Sequence, residues 1–330
     1  MLGGTAWLGQ HIVRAAVSAG DEVVCLARGV AGSVPDGATL VIADRDQPGA
    51  YQSVAGGPWD VVADVSSQPG RVREAVTALA AASGTFVLVS SVSVYQDNTA
   101  VNQDETAPTL QRLEGDVMES LETYGQAKVA CETHVLDRFG PERSLVARAG
   151  LIGGPGDMSD RTGYWPLRFR RPAAPDGTVL VPDAPVEFAQ VIDVRDLAGW
   201  LLQAARERVG GIFNLVGEPL PLAAHLELAR SVAGHEGPLV AAPGEWLLAR
   251  GVQPWFGERS LPLWTGESAG FGSRSLARAR AAGLVLRPLQ ATLADTLAWE
   301  IGRDQARPRR AGLAPDDERA LLAELAADGL

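Results

Sequence analysis

Residues 3–9 read Gly3-Gly4-Thr5-Ala6-Trp7-Leu8-Gly9, and a helical pattern follows them to about Ala19. Gly20 stands at the position where helices commonly end. Glycines at a strand-to-helix turn allow a tight bend and bring backbone N–H groups and the helix N-terminus close to a pyrophosphate. The stretch therefore predicts a dinucleotide-binding turn. Ala6 departs from the usual pattern, because it occupies the place of the middle glycine.

The sequence downstream of this turn alternates short β-rich runs with helical patterns, which is typical of a parallel sheet covered by helices. We predict strands at residues 22–27, 39–43, 59–64, 85–91, 144–149 and 212–216. Helices are predicted near residues 71–82, 123–139, 191–205 and 315–327. The expected fold class is α/β: a Rossmann-type, doubly wound parallel sheet with a smaller C-terminal substrate-binding region.

The strand that should precede the glycine turn is almost absent, because only Met1 and Leu2 stand before Gly3. In this type of fold that strand lies centrally, between the strands that end near Ala27 and Asp64. Without it, backbone groups of both neighbours would lack partners. We therefore expect a truncated first strand and a natural start several residues upstream. A chain that starts at Met1 should have these two neighbours separated or poorly ordered, and weak cofactor affinity.

The expected domain organisation follows a change in composition after Gly153, where Gly and Pro become frequent. Residues 1–150 are predicted to form the dinucleotide-binding Rossmann domain, to which residues 188–217 return. Residues 151–187 and 218–300 are predicted to form the substrate-binding region, with their tryptophans mainly in its core. Residues 301–330 are expected to be a C-terminal tail with a short helix, in which the arginine-rich stretch 303–310 is a solvated linker.

The composition limits the class of protein and its partners. Hydrophobic residues make up 46% of the 330 residues and charged residues 21%, which is typical of a globular protein. The net charge of −11 argues against nucleic-acid binding. No apolar run approaches the roughly 18 residues of a membrane span. The expected partner is a small-molecule substrate, and the chain is expected to be a monomer or a homodimer.

The chain shows no sign of secretion or of metal binding. The first residues lack a basic region and a cleavage site, so we expect a cytoplasmic protein. Cys25 and Cys131 are the two cysteines, and in such a compartment they are expected to be reduced and buried. The four histidines form no ligand-spaced cluster with cysteine, so we expect no metal site.

Lys128 is the only lysine among the 29 basic residues, and it follows Tyr124 by four positions. Residues four apart share one face of a helix, so the two side chains are expected to reach one cleft. A nearby ammonium favours the phenolate and would make Tyr124 a usable general acid or base near neutral pH. Ser91 ends a predicted strand at the carboxyl edge, where such sheets bind ligands, and its hydroxyl could hold a substrate oxygen.

The end of the strand at residues 22–27 selects between the two nicotinamide cofactors. An acidic residue there would hold a ribose 2′-hydroxyl, whereas an arginine favours a 2′-phosphate. The sequence has Arg28 and no acid at this point, so NADP is expected, with NAD as the alternative. Asp44, at the end of the following strand, is either an adenine contact or a turn residue.

A loop after residue 153 concentrates arginine and aromatic residues. It contains Arg161, Tyr164, Trp165, Arg168, Arg170 and Arg171. This stretch is either a solvated loop or a substrate loop that holds an anion. The candidate substrate contacts are Ser93, Tyr164, Trp165 and Arg168.

Several further motifs occur in a consistent order. They are Val89-Ser90-Ser91-Val92-Ser93-Val94-Tyr95, Asp104-Glu105-Thr106-Ala107-Pro108, Tyr124-Gly-Gln-Ala-Lys128, Arg148-Ala-Gly-Leu-Ile-Gly-Gly-Pro155-Gly156, Ile192-Asp193-Val194-Arg195-Asp196-Leu197-Ala198 and Phe213-Asn214-Leu215-Val216-Gly217. Together with the glycine turn, they resemble the extended short-chain dehydrogenase/reductase family, in its NAD-dependent epimerase/dehydratase branch. The resemblance extends to about residue 217 and is weak beyond residue 220.

The resemblance implies a catalytic set of three residues. Ser91 would hold the substrate oxygen, Tyr124 would donate or accept the proton, and Lys128 would hold the nicotinamide ribose and tune Tyr124. Dehydratases of this family carry an Asp-Glu pair where this chain has Val92 and Ser93, so elimination lacks its acid and base. The candidate cofactor contacts are Gly3, Thr5, Ala6, Trp7, Leu8, Gly9, Arg28, Asp44, Ser66, Tyr124 and Lys128.

The function predicted from these residues is that of an NADP-preferring oxidoreductase that interconverts a carbonyl and an alcohol, an atypical reductase of that branch. The first alternative is a sugar-nucleotide epimerase that uses the same three residues and a transient keto intermediate. The second is a non-catalytic dinucleotide-sensing or RNA-binding relative. The complete set of Ser91, Tyr124 and Lys128 and the acidic composition both weigh against the second alternative.

Overall fold

A computed structural model describes residues 1–266 and 268–329 of the chain. Helices in these residues are α1 (Trp7–Ser18), α2 (Pro69–Leu79), α3 (Tyr124–Phe139), α4 (Tyr164–Arg170), α5 (Val194–Arg206), α6 (Leu222–Ala233), α7 (Gly244–Ala249), α8 (Ala277–Ala281), α9 (Leu289–Ile301) and α10 (Pro315–Ala327). Short 3₁₀ turns occupy Ala80–Ala82, Val92–Val94, Leu121–Thr123 and Pro141–Arg143.

The strands alternate with these helices in the first two-thirds of the chain. They are β1 (Val23–Ala27), β2 (Ala38–Ile42), β3 (Trp59–Asp64), β4 (Ser83–Ser91), β5 (Ser144–Ala149), β6 (Leu151–Gly153), β7 (Val179–Asp183), β8 (Phe188–Ala189), β9 (Val191–Asp193), β10 (Gly211–Leu215), β11 (Leu220–Pro221), β12 (Leu239–Pro243), β13 (Gln253–Pro254) and β14 (Ser260–Leu261).

The central sheet is parallel and has the order β10-β5-β4-β3 on one side and β1-β2 on the other. Side chains of β4 alternate between its two faces. Val87 and Val89 pack with α1 and α5, whereas Phe86 and Leu88 pack with α2 and α3. This period of two is expected for a strand covered on both faces, and it explains the almost continuous apolar run. The predicted α/β fold with a doubly wound parallel sheet is confirmed.

Met1, Leu2 and Gly3 occupy the gap between β1 and β3. The backbone N–H of Leu2 donates to the Ala63 carbonyl at 2.8 Å, and the N–H of Leu26 donates to the Met1 carbonyl at 2.9 Å. Leu2 forms a parallel bridge to each neighbouring strand and is 2% exposed. One residue thus joins the two parts of the sheet, and its side chain lies in the core.

A second core lies outside the sheet and joins α4, α6, α9 and α10 with β7 and β12. Its largest buried members are Trp165 and Trp264, and Leu321 and Leu325 attach α10 to it. The helix expected in a C-terminal tail is therefore packed against this core. β10 pairs with β5 at the edge of the central sheet, so the chain returns to that sheet after residue 210. The domain boundaries given above stay a prediction.

The arginine-rich stretch 303–310 is bound to two buried carboxylates, so the prediction of a solvated linker is wrong. Asp160 and Glu300 are each 1% exposed. Arg303, Arg307 and Arg309 all pair with both of them, at distances from 2.6 to 3.8 Å. We call these five residues the arginine clasp. Burial alone would raise the pKa of Asp160, but hydrogen bonds from Arg307 and the Arg310 N–H, with the Arg309 charge, hold it below its usual value.

Cys25 and Cys131 are buried and form no disulfide, as the sequence predicted. Burial raises the pKa of the Cys131 thiol to about 12. The part of the chain that the structure describes has no helix of the length and apolarity that a bilayer requires. It also has no group of three or more His, Cys, Asp or Glu residues that could hold a metal ion.

Candidate active site

The glycine turn lies between Leu2 and α1, where side chains would collide with their surroundings. Gly3 has φ +89°, and a Cβ there would lie 2.7 Å from Val65. A Cβ at Gly4 would lie 2.6 Å from the Cys25 sulfur, and one at Gly9 would collide with the Gly3 carbonyl. These glycines let the turn, β1 and α1 approach one another closely. The sequence pattern therefore has a packing cause as well as a ligand-binding one.

A cleft of about 210 Å³ opens above this turn, at the carboxyl ends of β1, β2 and β3. Its wall brings together the candidate cofactor contacts Gly3, Thr5, Ala6, Arg28, Asp44 and Ser66. Ala6 is exposed and forms the extended N-cap of α1. Trp7, Leu8 and Gly9 belong to α1 itself, and the Trp7 indole N–H donates to the Pro155 carbonyl at 2.9 Å.

Arg28 lies at the far end of this cleft. It is exposed, and it forms no hydrogen bond or ion pair with any residue that the structure describes. Asp44 accepts a hydrogen bond from the backbone N–H of Asp46 at 3.1 Å, so one of its carboxylate oxygens stabilises the turn after β2. The nearby Arg71 is already bound to Asp46, at 2.7 and 2.5 Å. A phosphate at this end of the cleft would therefore meet Arg28 first.

A buried ion pair fixes the carboxyl end of β3. Arg45 donates to both oxygens of Asp64, at 2.9 and 2.5 Å, and Asp64 is fully buried. Asp64 also accepts the backbone N–H of Ser66 at 2.8 Å. The carbonyl of Ser66 in turn accepts a hydrogen bond from Lys128 at 2.8 Å. Arg45 and Asp64 thus position a backbone acceptor for the lone lysine, and this pair could not be recognised from the sequence.

Lys128 is 2% exposed and lies one turn after Tyr124 in α3. Its ammonium donates to the carbonyls of Ser66 and Val89, at 2.8 and 2.7 Å. Its Nζ lies 5.9 Å from the centre of the Tyr124 ring. An ammonium has three donors, so one N–H remains for a further acceptor in the cleft.

Tyr124 begins α3 and is half-buried. Gly125 allows this position, because a Cβ there would collide with the Ser93 carbonyl and would lie 2.6 Å from Leu110. The start of α3 therefore rests directly on the turn that follows β4. Glycine at this point brings the phenol of Tyr124 toward the end of the strand.

Ser91 is the last residue of β4, and its hydroxyl oxygen accepts the backbone N–H of Ser93 at 3.1 Å. The two hydroxyl oxygens are also 3.1 Å apart. Val92 between them is buried in the core. The end of the strand thus presents two hydroxyl groups and no carboxylate, which agrees with the absence of an acid–base pair in the sequence at this point.

Two other motifs of the sequence form a polar network behind the strand ends. Arg148 pairs with Glu132 at 2.8 Å, and Glu132 accepts the Ser90 hydroxyl at 2.5 Å. The Tyr95 hydroxyl donates to the side-chain oxygen of Asn214 at 2.6 Å. All five side chains are buried. They hold β4, β5, β10 and α3 in register and do not line the cleft.

Three of the four candidate substrate contacts lie in the second core, which corrects that expectation. Tyr164, Trp165 and Arg168 are 2%, 0% and 8% exposed. Arg168 pairs with buried Glu318 at 2.9 Å, so its charge is already balanced. Ser93 lies outside that core, in the turn after β4 and beside Ser91.

Arg161 is the arginine of that loop that lies near Tyr124. Its guanidinium carbon lies 5.1 Å from the centre of the Trp255 ring, and its Nε donates to the Ser159 hydroxyl at 3.1 Å. Burial lowers the pKa of Arg161, and the neighbouring Asp157 and Tyr124 partly oppose that change. Neither Trp255 nor the position of Arg161 could be recognised from sequence, because this contact joins residues almost a hundred positions apart.

No family model and no curated protein sequence matches the chain. Solved structures do match it over almost its whole length. The protein gox2253 shares 20% identity, with a TM-score of 0.68 and coverage of 92% of this chain and 98% of the other. The UDP-N-acetylglucosamine 4-epimerase from Bacillus cereus shares 17% identity, with a TM-score of 0.64 and coverage of 93% and 98%.

The UDP-glucose 4-epimerase from Thermus thermophilus, in complex with NAD, shares 17% identity, with a TM-score of 0.61 and coverage of 92% and 98%. This chain has the fold of the extended short-chain dehydrogenase/reductases. The resemblance stated from the sequence motifs is thus confirmed at the level of the fold. At these identities the similarity extends no further than the fold.

Proposed function

We propose that this protein is a nicotinamide-dependent oxidoreductase that interconverts a carbonyl and an alcohol. The observation that supports this most is the placement of Lys128. Its buried ammonium is held by two backbone carbonyls, at 2.8 and 2.7 Å, and lies 5.9 Å from the Tyr124 ring. A surface lysine would need neither the burial nor the two acceptors. Both features are expected of a lysine that binds a cofactor and lies next to a catalytic tyrosine.

Tyr124 moves the proton in this proposal. Tyr124 gives its proton to a carbonyl oxygen and recovers it from the alcohol, with the Lys128 ammonium 5.9 Å from its ring. A nicotinamide cofactor, when bound, supplies or accepts the hydride. The third N–H of Lys128 is free to bind a ribose hydroxyl of that cofactor. One side chain thereby couples cofactor placement to proton transfer.

Ser91 orients the substrate oxygen in the same proposal. Its hydroxyl now donates to Ser93 at 3.1 Å, and it can turn toward a substrate oxygen at little cost. The backbone N–H of Ser93 holds the Ser91 oxygen in place. Ser91 and Tyr124 would then contact the reacting oxygen together, and the substrate carbon would face the cofactor.

NADP is the proposed cofactor. Arg28 is exposed at the strand end, has no ion-pair partner among the described residues, and carries a fork that suits a 2′-phosphate. Asp44 stands at the next strand end, but one of its oxygens is bound to the backbone of Asp46. The residues of the cleft therefore favour a phosphorylated ribose over a free diol.

An epimerase is the second candidate function, and a specific observation favours it. The B. cereus and T. thermophilus structures, which share the fold over 93% and 92% of this chain, are named as 4-epimerases. An epimerase would use Ser91, Tyr124 and Lys128 in the same way but would return the hydride to the substrate. Net reduction of the cofactor separates the two functions.

The test is a screen of the full chain. NADP⁺ or NAD⁺ is combined with secondary alcohols, sugars and sugar nucleotides, and for the reverse direction NADPH or NADH is combined with aldehydes and ketones. An oxidoreductase gives stoichiometric reduced cofactor, which Tyr124→Phe abolishes. Isomerised sugar nucleotide without net reduced cofactor would favour the epimerase. Tight cofactor binding with neither reaction would favour a non-catalytic role and overturn the proposal.

A further inference from the structure

Arg161 is half-buried, and its guanidinium has fewer polar partners than those of the more deeply buried arginines in the described residues. Arg45, Arg148 and Arg168 are each paired with a buried carboxylate, at 2.5, 2.8 and 2.9 Å. Arg161 has no carboxylate within 4.0 Å in the described part of the chain, although burial lowers its pKa. Its only side-chain hydrogen bond there is the one from Nε to Ser159 at 3.1 Å. Its two terminal nitrogens have no acceptor among residues 1–266 and 268–329. Arg274, which is 0% exposed and has no carboxylate partner either, donates to the Asp97 carbonyl and to the Asn98 side chain, each at 2.7 Å.

The acidic residues next to Arg161 are occupied by other partners. Asp157 accepts the Thr162 hydroxyl at 2.6 Å and the Ser159 N–H at 2.8 Å. Asp160 belongs to the arginine clasp and has φ +62°, in the left-handed region that residues other than glycine rarely adopt. The clasp holds Asp160 in this conformation. Arg161 therefore follows a residue that the clasp fixes, and it forms no ion pair of its own with the described residues, although the Asp157 charge lies nearby.

The Trp255 ring orients the Arg161 guanidinium. The ring lies 5.1 Å from the Arg161 guanidinium carbon, a distance at which cation–π attraction holds the planar group. Trp255 itself has φ +67° and packs edge-on against Phe271, with ring centres 4.9 Å apart. A bulky residue in this backbone region is strained, and such strain concentrates at ligand sites. The second half of the chain thus contributes the ring that orients Arg161.

We propose that Arg161 binds an anionic group of the substrate, a carboxylate or a phosphate. This inference rests on the proposed function, because it treats Tyr124 as the centre of the reaction. An oxyanion can take two parallel hydrogen bonds from the free edge of the guanidinium, and a neutral amide or hydroxyl cannot match that interaction. The substrate class is then an oxo or hydroxy acid, or a phosphorylated carbonyl compound.

A binding experiment on the full chain tests this without requiring turnover. Isothermal titration calorimetry, with NADPH present, uses malonate and inorganic phosphate as probes and malonamide as the uncharged analogue. We expect one anion to bind and malonamide to bind at least about 10-fold more weakly, the usual consequence of losing a charge-assisted pair. Arg161→Gln should remove that preference. The anion that binds more tightly identifies the carboxylate or the phosphate as the recognised group.

Arg170→Gln is the matched control, because it removes the same charge from an exposed position of the neighbouring helix α4. It should leave the binding of malonate, phosphate and malonamide unchanged. Arg161→Lys keeps a charge but loses the fork, and should bind the anion more weakly than the parent. If Arg161→Gln fails to fold, the anion affinity of Arg161→Lys tests the proposal instead.

Two results would overturn the proposal: equal affinity of parent and Arg161→Gln for the anion, or no preference of the parent for either anion over malonamide. Tyr124→Phe separates these failures from failure of the proposed function. That variant should lose turnover and keep anion binding. Once substrates are known, the ratio of kcat/KM for a 2-oxo acid to that for its amide, or for a phosphorylated to a free hydroxyaldehyde, should collapse in Arg161→Gln.

Discussion

Lys128 donates a hydrogen bond from Nζ to the carbonyl oxygen of Val89 at 2.7 Å, inside the strand that ends at Ser91. A second donation, to Ser66 at 2.8 Å, ties the same ammonium to the chain that leaves β3. The Val89 acceptor lies in β4, and the Ser66 acceptor lies in the loop after the neighbouring strand β3. Lys128 therefore holds α3, β3 and β4 at one point, and that point lies directly below Tyr124.

Replacement of Lys128 by Arg should damage the site although it keeps the charge. The Lys128 ammonium bonds two carbonyls from one compact group, and a planar guanidinium cannot reproduce that geometry. The longer side chain would also overpack a position that is 2% exposed. We expect cofactor affinity and turnover each to fall by about 10-fold or more, and the pH–rate profile to shift. Arg138→Lys, on the exposed face of the same helix, is the control and should change neither quantity. An unchanged profile in Lys128→Arg would show that the ammonium does not tune Tyr124.

Replacement of Tyr124 by Phe should cut turnover by about 10² or more, the span usual for a lost general acid or base. Cofactor affinity should be nearly unchanged, because the ring and its contact with Lys128 remain. Tyr164→Phe removes a hydroxyl from the second core and should retain turnover. Steady-state kinetics and cofactor titration give both quantities, and near-normal turnover in Tyr124→Phe would reject the proposed proton transfer.

Replacement of Gly125 by Ala should push the start of α3 away from the turn after β4. The added Cβ would meet the Ser93 carbonyl and lie 2.6 Å from Leu110. Overpacking of this kind costs about 1–3 kcal/mol, and a shift of about 1 Å at Tyr124 can cost about 10² in turnover. Gly199→Ala is a control in helix α5, where a Cβ meets nothing within 4 Å. Turnover in Gly125→Ala equal to that of the parent would show that the close contact does not position Tyr124.

The central sheet and the Tyr124–Lys128 pair could be predicted from the sequence because their signals are local. The glycine turn, the alternating strands and helices, and a spacing of four residues each lie within a short window. The first strand could not be recognised in this way, because Met1 and Leu2 are too short a signal for a strand. Leu2 fills the central position of the sheet, because its own N–H and carbonyl bond to the β3 side while the Met1 carbonyl and the Gly3 N–H bond to Leu26 of β1.

The substrate side could not be predicted in the same way. Arg161 and Arg168 look alike in sequence, and only their partners distinguish them. Arg168 meets Glu318, whereas Arg161 meets Trp255, and both partners lie far along the chain. Residues 303–310 look like a solvated charge run for the same reason, since their acceptor Asp160 stands more than 140 positions earlier. Charge patterns report composition, and these pairings depend on tertiary structure.

Replacement of Arg28 by Ala should weaken NADP binding by about 10-fold and leave NAD binding nearly unchanged, because an exposed charge-assisted bond to the 2′-phosphate is lost. The difference should shrink as salt concentration rises, since the site is open to solvent. Arg14→Ala removes one charge from the exposed face of α1 and controls for the overall charge. Equal weakening of both cofactors, or tighter NAD binding by the parent, would contradict the preference for NADP.

His225 should make the protein less stable as the pH falls below its ordinary pKa. The imidazole is fully buried in α6, and neither ring nitrogen has a hydrogen-bond partner among the described residues. Burial lowers the pKa of His225 from 6.5 to about 4. The unfolded chain therefore binds a proton near pH 6.5 that the folded chain accepts only near pH 4. Stability is complete above this window and falls through it, by about 2 kcal/mol between pH 7 and pH 5.

Replacement of His225 by Leu tests this sign. The variant removes the titrating group and two unpaired nitrogens at similar volume, so it should be at least as stable as the parent at pH 7. The midpoint of urea denaturation should then change much less between pH 7 and pH 5 than it does in the parent. His134→Gln, at a half-buried position on α3, is the control and should keep most of the parent's pH dependence. If His225→Leu loses stability between pH 7 and pH 5 as steeply as the parent, the acid sensitivity arises from other groups.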